Sequence, residues 1–368
     1  MILQSLSIIN YKNLRQAELQ FSPKMNCFIG NNGMGKTNLL DAVYYLSFCK
    51  SYTNPIDSQI ICHDADVCML QGRYHTEEGK ELEVYSSIRR RQKKQFRRNK
   101  KEYERLSDHI GLIPLVMISP ADNELITGAS EERRKFMDMA ISQFDREYLR
   151  ALVRYNKALQ QRNVLLKNEV GAIDSDVLEL WEEQLVVEGN YIHRERKAFI
   201  DAFTPIFNRF YERISGSHED VSFAYSSQLN VDDFGERLRR NRQRDMIMGH
   251  TTTGIHRDEL EMLLDGYPIK KVGSQGQNKT FFVSLKLAQF HFLLLKGGTK
   301  PILLLDDIFD RLDAARVEEI VKLVSEPEFG QIFLSDTNRE SLDRILQGVG
   351  NNSHIYTVID GEITLIND

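Results

Sequence analysis

The sequence predicts an α/β fold in which a phosphate-loop core is interrupted by an inserted α-helical domain. Three observations predict it. A short apolar run, Met25 to Ile29, feeds a glycine loop and then a segment of helical periodicity. Between about residues 130 and 215 the chain turns charged and helical, with Gly171, Gly189 and Pro205 as its few breakers. From about Gly249 an alternation of strands and helices returns, ending in two apolar strands, Pro301 to Leu305 and Gln331 to Leu334. The expected division is a first core lobe over 1–125, a helical insertion over 126–250 and the remainder of the core over 251–368.

A chain of 368 residues exceeds the size at which one core stops growing, so more than one folded lobe is expected. Its 41% hydrophobic and 27% charged residues are those of a globular protein and exclude a disordered chain. The net charge of -5 excludes a wholly basic nucleic-acid coat but leaves room for a local basic face. Cys27, Cys49, Cys62 and Cys68 show no C-x-x-C spacing, which argues against a zinc ribbon or disulfide framework and for reduced thiols in a cytoplasm. The start, MILQSLSIINYKNL, lacks a basic region followed by an apolar one, and no apolar run approaches the ~18 residues a membrane span needs. Neither secretion nor a membrane is expected.

Gly30-Asn31-Asn32-Gly33-Met34-Gly35-Lys36-Thr37 matches G-x-x-x-x-G-K-S/T at every required position, between a strand and a helix. Glycines let the backbone curl so that its N–H groups face phosphates, and the helix that follows adds its positive end. Lys36 is expected to reach the β- and γ-phosphates of ATP and the Thr37 hydroxyl a Mg2+ ion, with the nucleotide-binding set extending to Asn38. Leu39, Val43 and Leu46 recur at helical spacing, predicting one buried face on that helix.

Two C-terminal segments complete the chemistry. Ser274-Gln275-Gly276-Gln277 precedes an apolar-periodic helix, with Ser274 a natural N-cap and Gly276 permitting close approach of a phosphate. The apolar strand Ile302-Leu303-Leu304-Leu305 then ends in two carboxylates, Asp306 and Asp307. Asp306 is placed to hold the magnesium, which prefers oxygen ligands and keeps several waters. Asp307 is the candidate general base, polarising the water that attacks the γ-phosphate, with Lys36 as its catalytic partner.

The segment from Glu81 to Leu106 reads as a hairpin with a turn at Asn99-Lys100. Within it the 13 residues from Arg89 to Lys101 hold Arg89, Arg90, Arg91, Lys93, Lys94, Arg97, Arg98, Lys100 and Lys101 and no acid. Such a run is either a solvated, self-repelling tip or a contact for nucleic-acid phosphates; in an otherwise acidic chain the second is expected. Arg237, Arg239, Arg240, Arg242 and Arg244 form a second cluster that extends the track. Tyr148, Leu152, Tyr155, Leu159, Arg162 and Leu166 fall on one stripe of a helix, read as an amphipathic packing face.

The order of loop, long insertion, signature and acidic strand end resembles that of ABC-type ATPases and SMC heads. Asp310-Arg311-Leu312-Asp313 stands where their D-loop lies and Gln331 to Thr337 where their switch strand ends, without the switch histidine of transporters. More specifically the chain resembles the RecF family. The blocks GNNGMGKTNLLDAVYYLS, EERRKFMDMAIS, YLRALVRYNKALQQRNVLLK, GIHRDEL and SQGQNKTFFVSLKLAQF through LLLDDIFDRLD occur in family order over nearly the whole chain. Departures are Lys12 and Thr53 where the family carries arginines, and Asp310 and Arg311 in place of serine and glutamate in the D-loop. The resemblance implies an ATP-sandwiched homodimer in which Ser274 to Gln277 act on the partner's nucleotide. It also implies slow, DNA-stimulated hydrolysis, and binding to double-stranded DNA beside a single-stranded gap with RecR and RecO. RecA loading in recombinational repair, the SOS response and replication-fork maintenance follow from it. The competing reading is an ABC-type ATPase subunit of a transporter. A small-molecule kinase would have no use for the signature.

Overall fold

The apolar run that precedes the glycine loop becomes an inner strand of a six-stranded sheet. In the computed structural model, residues 1–167, 175–216, 219–309, 312–337 and 353–366 are described. The chain divides into two compact units: Met1–Asp122 with Arg213–Ser215 and Lys279–Asp368, and Asn123–Glu212 with Gly216–Asn278.

The first unit contains two sheets. One runs in the order Glu362–Ile366, Ser353–Ile359, Met25–Ile29, Ile332–Asp336, Ile302–Asp306, Leu115–Ile118. All its pairings are parallel except that of the C-terminal hairpin, Ser353–Ile359 with Glu362–Ile366. The Ile302–Asp306 and Ile332–Asp336 strands are buried at every residue, as the unbroken apolar runs of a parallel sheet require. The other sheet is antiparallel, in the order Leu14–Gln20, Ile2–Tyr11, Val67–His75, Glu81–Arg89, Gln95–Arg98, Lys101–Glu102. Its strands alternate buried and exposed residues because only one face meets the core.

The helix Lys36–Phe48 touches strands of both sheets, and this corrects the single buried face expected for it. Leu39, Leu40, Ala42, Val43, Tyr44, Tyr45, Leu46 and Phe48 are all buried, covering the whole circumference. A helix apolar on every side is one packed on every side. The last strand read from the sequence is Gln331 to Leu334, whereas the hairpin Ser353–Ile359/Glu362–Ile366 adds two further strands to the sheet within the core expected over 251–368.

The second unit is mainly helical: Ser130–Ser142, Arg146–Leu166, Ser175–Ser215 as far as Glu212, and Phe234–Met248. It also contains a small antiparallel sheet, Val221–Ser226, Glu259–Leu264 and Tyr267–Pro268, and runs on to Asn278, past the boundary expected at residue 250. The stripe read from Tyr148 to Leu166 faces the interior at Tyr148, Tyr155, Arg162 and Leu166, joined by Ala151 and Ala158.

Two arginines lie wholly inside this unit. Arg162 donates to Asp245 (2.7 Å), Thr251 (2.8 Å) and Glu182 (3.0 Å). Arg196 donates to Asp138 (2.9 Å), Asp258 (2.8 Å) and the Ile255 carbonyl (2.8 Å), while Tyr225 donates to the same Asp258 at 2.5 Å. Removing one partner of such a pair strands the others' charge in a low dielectric. Arg196→Ala is therefore expected to destabilise the protein by about 3–5 kcal/mol in urea unfolding, against about 0.5 kcal/mol or less for the exposed Arg239→Ala. A loss below about 1 kcal/mol for Arg196→Ala would show that the network is not the keystone of the unit.

Candidate functional site

Parallel strands in register bring their carboxyl ends to one edge, and in such sheets ligands bind there. Ile29 pairs with Asp336, Ser335 with Asp306, and Thr357 with Ile29, so the glycine loop, both acidic strand ends and the C-terminal hairpin meet at that edge. The loop's geometry depends on its glycines: Gly33 and Gly35 have φ of 83° and 114°, in the region that side chains disfavour. Lys36 is buried, and its ammonium donates to the carbonyls of Gly30 (2.7 Å) and Asn31 (3.1 Å). Asn31, Asn32 and Gly33 at the loop's crest are exposed.

Across 269 residues of sequence, the Thr37 hydroxyl lies 3.0 Å from both carboxylate oxygens of Asp306. Burial pushes the Asp306 carboxyl up, against the opposing pull of the Ser335 and Thr37 hydroxyls and of the Lys36 charge. A hydroxyl and one carboxylate are the protein oxygens that a magnesium ion takes when phosphates and water supply the rest. Among the described residues no group of three or more His, Cys, Asp or Glu is placed to hold a metal by itself. Asp307 follows the strand with φ of 45°, and its N–H donates to the Ser335 hydroxyl at 3.2 Å. Ser335 in turn donates to Asp306 at 2.7 Å, so one hydroxyl ties the two acidic residues to the neighbouring strand. Nothing in the sequence singled out Ser335.

Asp41, on the loop helix, was also missed. It is fully buried and accepts from Tyr11 (2.7 Å), Ser51 (2.7 Å) and the Tyr52 N–H (2.6 Å), with the Lys12 ammonium 2.6 Å away. Lys12 also donates to Thr53 at 2.5 Å. Lys12 and Thr53 are thus in contact with each other.

In the second unit Ser274 caps the helix Gln275–Gly297 reciprocally: its hydroxyl accepts from Gln277 N–H (3.2 Å) and its own N–H donates to the Gln277 side chain (2.8 Å). Ser274 and Gln275 are exposed, while Gly276 and Gln277 are half-buried. Of the D-loop segment, Asp310 and Arg311 lie outside the described residues; Asp313 caps the helix Ala314–Ser325 by accepting from Arg316 N–H at 2.9 Å.

The basic segment is a three-stranded meander with two turns, where a single hairpin was expected. Arg98 pairs with Lys101, and Asn99 and Lys100 close that turn with φ of 48° and 68°, as a two-residue turn of this twist requires. The other turn holds Arg90, Arg91, Lys93 and Lys94 between Glu81–Arg89 and Gln95–Arg98. Arg90 donates to the carbonyls of Ala65 (3.0 Å) and Cys62 (3.3 Å). Lys94 is held by the Cys49 carbonyl (2.6 Å) and Asp57 (2.9 Å). Arg97 lies over the Tyr85 ring, whereas Arg89, Arg91, Lys93, Arg98, Lys100 and Lys101 are exposed. In the second cluster Arg237 and Arg240 pair with Asp232 and Arg242 with Glu182, leaving Arg239 and Arg244 exposed without a salt bridge among the described residues.

The block GIHRDEL is mostly architecture. His256 meets Tyr155 at 2.8 Å, Asp258 holds Arg196 and Tyr225, and Glu259 pairs with Arg133 at 2.7 Å. All four cysteines are buried and unpaired, and no helix of the described residues is long and apolar enough to cross a membrane.

Comparison with known proteins agrees with this arrangement. The family model for the RecF/RecN/SMC N terminal domain matches residues 2–357. The chain is 59% identical to the DNA replication and repair protein RecF of Bacteroides thetaiotaomicron, covering 99% of this chain and 98% of that one. It is 60% identical to the protein of the same name from Bacteroides fragilis, with the same coverage. A solved structure of the recombination mediator protein RecF-ATP in the RecFOR pathway superposes with a TM-score of 0.90 at 27% identity, over 100% of this chain and 98% of that one. The Smc head domain of Pyrococcus yayanosii, at 14% identity and a TM-score of 0.60 over 100% of this chain and 97% of that one, shares the fold. The transporter alternative gives way to these relatives: the chain belongs to the RecF family of DNA replication and repair proteins, with an SMC-type ATPase head fold.

Proposed function

We propose that the chain is a DNA-binding ATPase of recombinational repair, which closes as an ATP-dependent homodimer on double-stranded DNA beside a single-stranded gap and opens on hydrolysis. The observation that carries this reading is the convergence of Lys36, Thr37 and Asp306 at one sheet edge, with Thr37 and Asp306 at 3.0 Å. In it, backbone N–H groups from Gly30 to Asn38 cradle the phosphates, and Lys36 exchanges its two loop carbonyls for phosphate oxygens. Thr37 and Asp306 would hold a Mg2+ ion, which would supply neutralisation of the γ-phosphate charge. Asp307 accepts a hydrogen bond from the attacking water and orients it. The Ser274 to Gln277 turn, exposed at Ser274 and Gln275, faces the nucleotide of a second copy. Cytoplasmic location, RecR and RecO as partners, RecA loading, and slow, DNA-stimulated turnover belong to the same reading. Its support is the family and the RecFOR setting named for the RecF-ATP structure.

The exposed Arg89, Arg91, Lys93, Arg98, Lys100 and Lys101, with the half-buried Arg97 beside them, supply the DNA contact in this reading, without Arg90 and Lys94, whose side chains are engaged internally.

Opposite behaviour of two variants tests the composite site. Ser274→Arg is expected to bind ATP as a monomer yet fail to dimerise, because a bulky cation then occupies the turn that meets the partner's phosphates. Asp307→Asn should dimerise with ATP and persist, with turnover reduced about a hundredfold or more, since asparagine tolerates the left-handed backbone but cannot act as a base. Size measurement with and without ATP, alongside phosphate release, reads both. Normal hydrolysis by both variants as dimers would refute the composite-site mechanism.

A further inference from the structure

The phosphate loop is held from outside, at Met34, by two β-turns from opposite ends of the chain. The carbonyl oxygen of Met34 accepts from the N–H of Gly361 at 3.0 Å and from the side-chain amide of Asn13 at 3.2 Å. The N–H of Asp360 meets the Met34 sulfur at 3.3 Å. Asn13 lies in the turn between Ile2–Tyr11 and Leu14–Gln20, and its amide oxygen also accepts from Asn38 on the loop helix at 2.7 Å. Asp360 and Gly361 form the turn of the C-terminal hairpin, with φ of 48° and 83°.

Packing reinforces these bonds. A side chain at Gly361 would collide with the Asn13 carbonyl, one at Gly35 would meet the Asn13 amide at 2.9 Å, and one at Gly30 would collide with the Val358 carbonyl. Two loop glycines are therefore required by what backs the loop as well as by what the loop encloses.

The consequence follows from the planarity of the peptide bond. The Met34 C=O and the Gly35 N–H belong to one trans unit and point in opposite directions. Anchoring the carbonyl outward at Gly361 and Asn13 therefore fixes the Gly35 N–H toward the loop interior. Gly35, whose φ of 114° leaves that unit free of side-chain restraint, would otherwise let it rotate.

We propose that Asn13 and the Asp360–Gly361 turn are positioning residues that lock the Met34–Gly35 peptide and so set the affinity of the loop for nucleotide without touching it. The proposal rests on the reading of the loop as an ATP site. It gives the C-terminal hairpin a role in nucleotide binding, although the hairpin carries no nucleotide-binding motif.

The test measures ATP affinity and steady-state hydrolysis for Asn13→Ala and Gly361→Ala in the full chain. Each is expected to raise Kd and KM for ATP about three- to tenfold, Asn13→Ala by removing an amide that holds the Met34 carbonyl and Gly361→Ala by displacing the turn whose N–H donates to it, while kcat at saturating ATP stays within about twofold. The double variant should cost less than the product of the two, because both act on the same carbonyl. Asn13 is exposed, so Asn13→Ala keeps the fold even if the Gly361 variant does not. Unchanged affinity in Asn13→Ala, or a fall in kcat at constant KM, would overturn the proposal while leaving the ATP site intact. Absence of ATP binding by the unaltered protein would instead remove the reading of the loop, and the proposal with it.

Discussion

Lys36→Ala is expected to lose ATP binding by about a hundredfold or more, and with it dimerisation and hydrolysis, while the protein stays folded. The ammonium is buried at the base of the loop, where a triphosphate places the largest charge the site ever meets. One charge-assisted contact is worth about 1.5–3 kcal/mol, and the lysine makes more than one to the β- and γ-phosphates. In the free protein its partners are two loop carbonyls, at 2.7 and 3.1 Å, which water can replace when the side chain is cut back. Thermal unfolding without nucleotide should therefore shift little, and the ATP-induced rise in the midpoint should vanish. Undiminished nucleotide affinity in a folded variant would remove Lys36, and with it the loop, from the site.

The loop and the acidic strand end were legible because each is local: a strand, a glycine turn and a helix follow one another in sequence, and two carboxylates end one apolar run. What the sequence withheld is long-range. Ser335, Asp41 and Gln331 are ordinary polar residues in sequence, and their roles come from partners brought together by folding. Gln331 is buried, accepts from Leu3 N–H at 2.8 Å and donates to the carbonyls of Leu3 (2.8 Å) and Ser22 (2.9 Å), completing backbone pairing that no strand supplies. The expected single face on the loop helix failed for the same reason. Leu39, Val43 and Leu46 are buried as expected, but so are Tyr44, Tyr45 and Phe48 on the rest of the circumference, because the helix packs against strands of both sheets, which periodicity within one helix does not reveal. The C-terminal hairpin escaped notice because it carries no motif, only strand-forming residues around Asp360-Gly361. The basic run was legible as charge but not in its partners: Arg90 donates to the carbonyls of Ala65 and Cys62, and Lys94 to the Cys49 carbonyl and Asp57, which composition does not show.

That distinction shapes the expected effect of neutralising the basic segment. Arg91, Lys93, Arg98 and Lys100 are exposed, and replacing all four by glutamine should weaken binding to duplex DNA uniformly across sequences. Each lost phosphate contact removes one released counterion, so the slope of log affinity against log salt should flatten by about 3 to 4. At 0.1 M salt that corresponds to about a thousandfold weaker binding. ATP affinity should be unchanged, because none of the four touches the loop. Lys94→Gln should behave differently, lowering stability through the loss of Asp57 and the Cys49 carbonyl and leaving the salt slope nearly as it was. Self-repulsion among so many cations on one meander is a standing cost that an anionic partner relieves, which is why the segment is proposed to contact DNA. A quadruple variant with an unaltered salt slope would place the DNA elsewhere, with Arg239 and Arg244 of the helical unit the next exposed cations to neutralise.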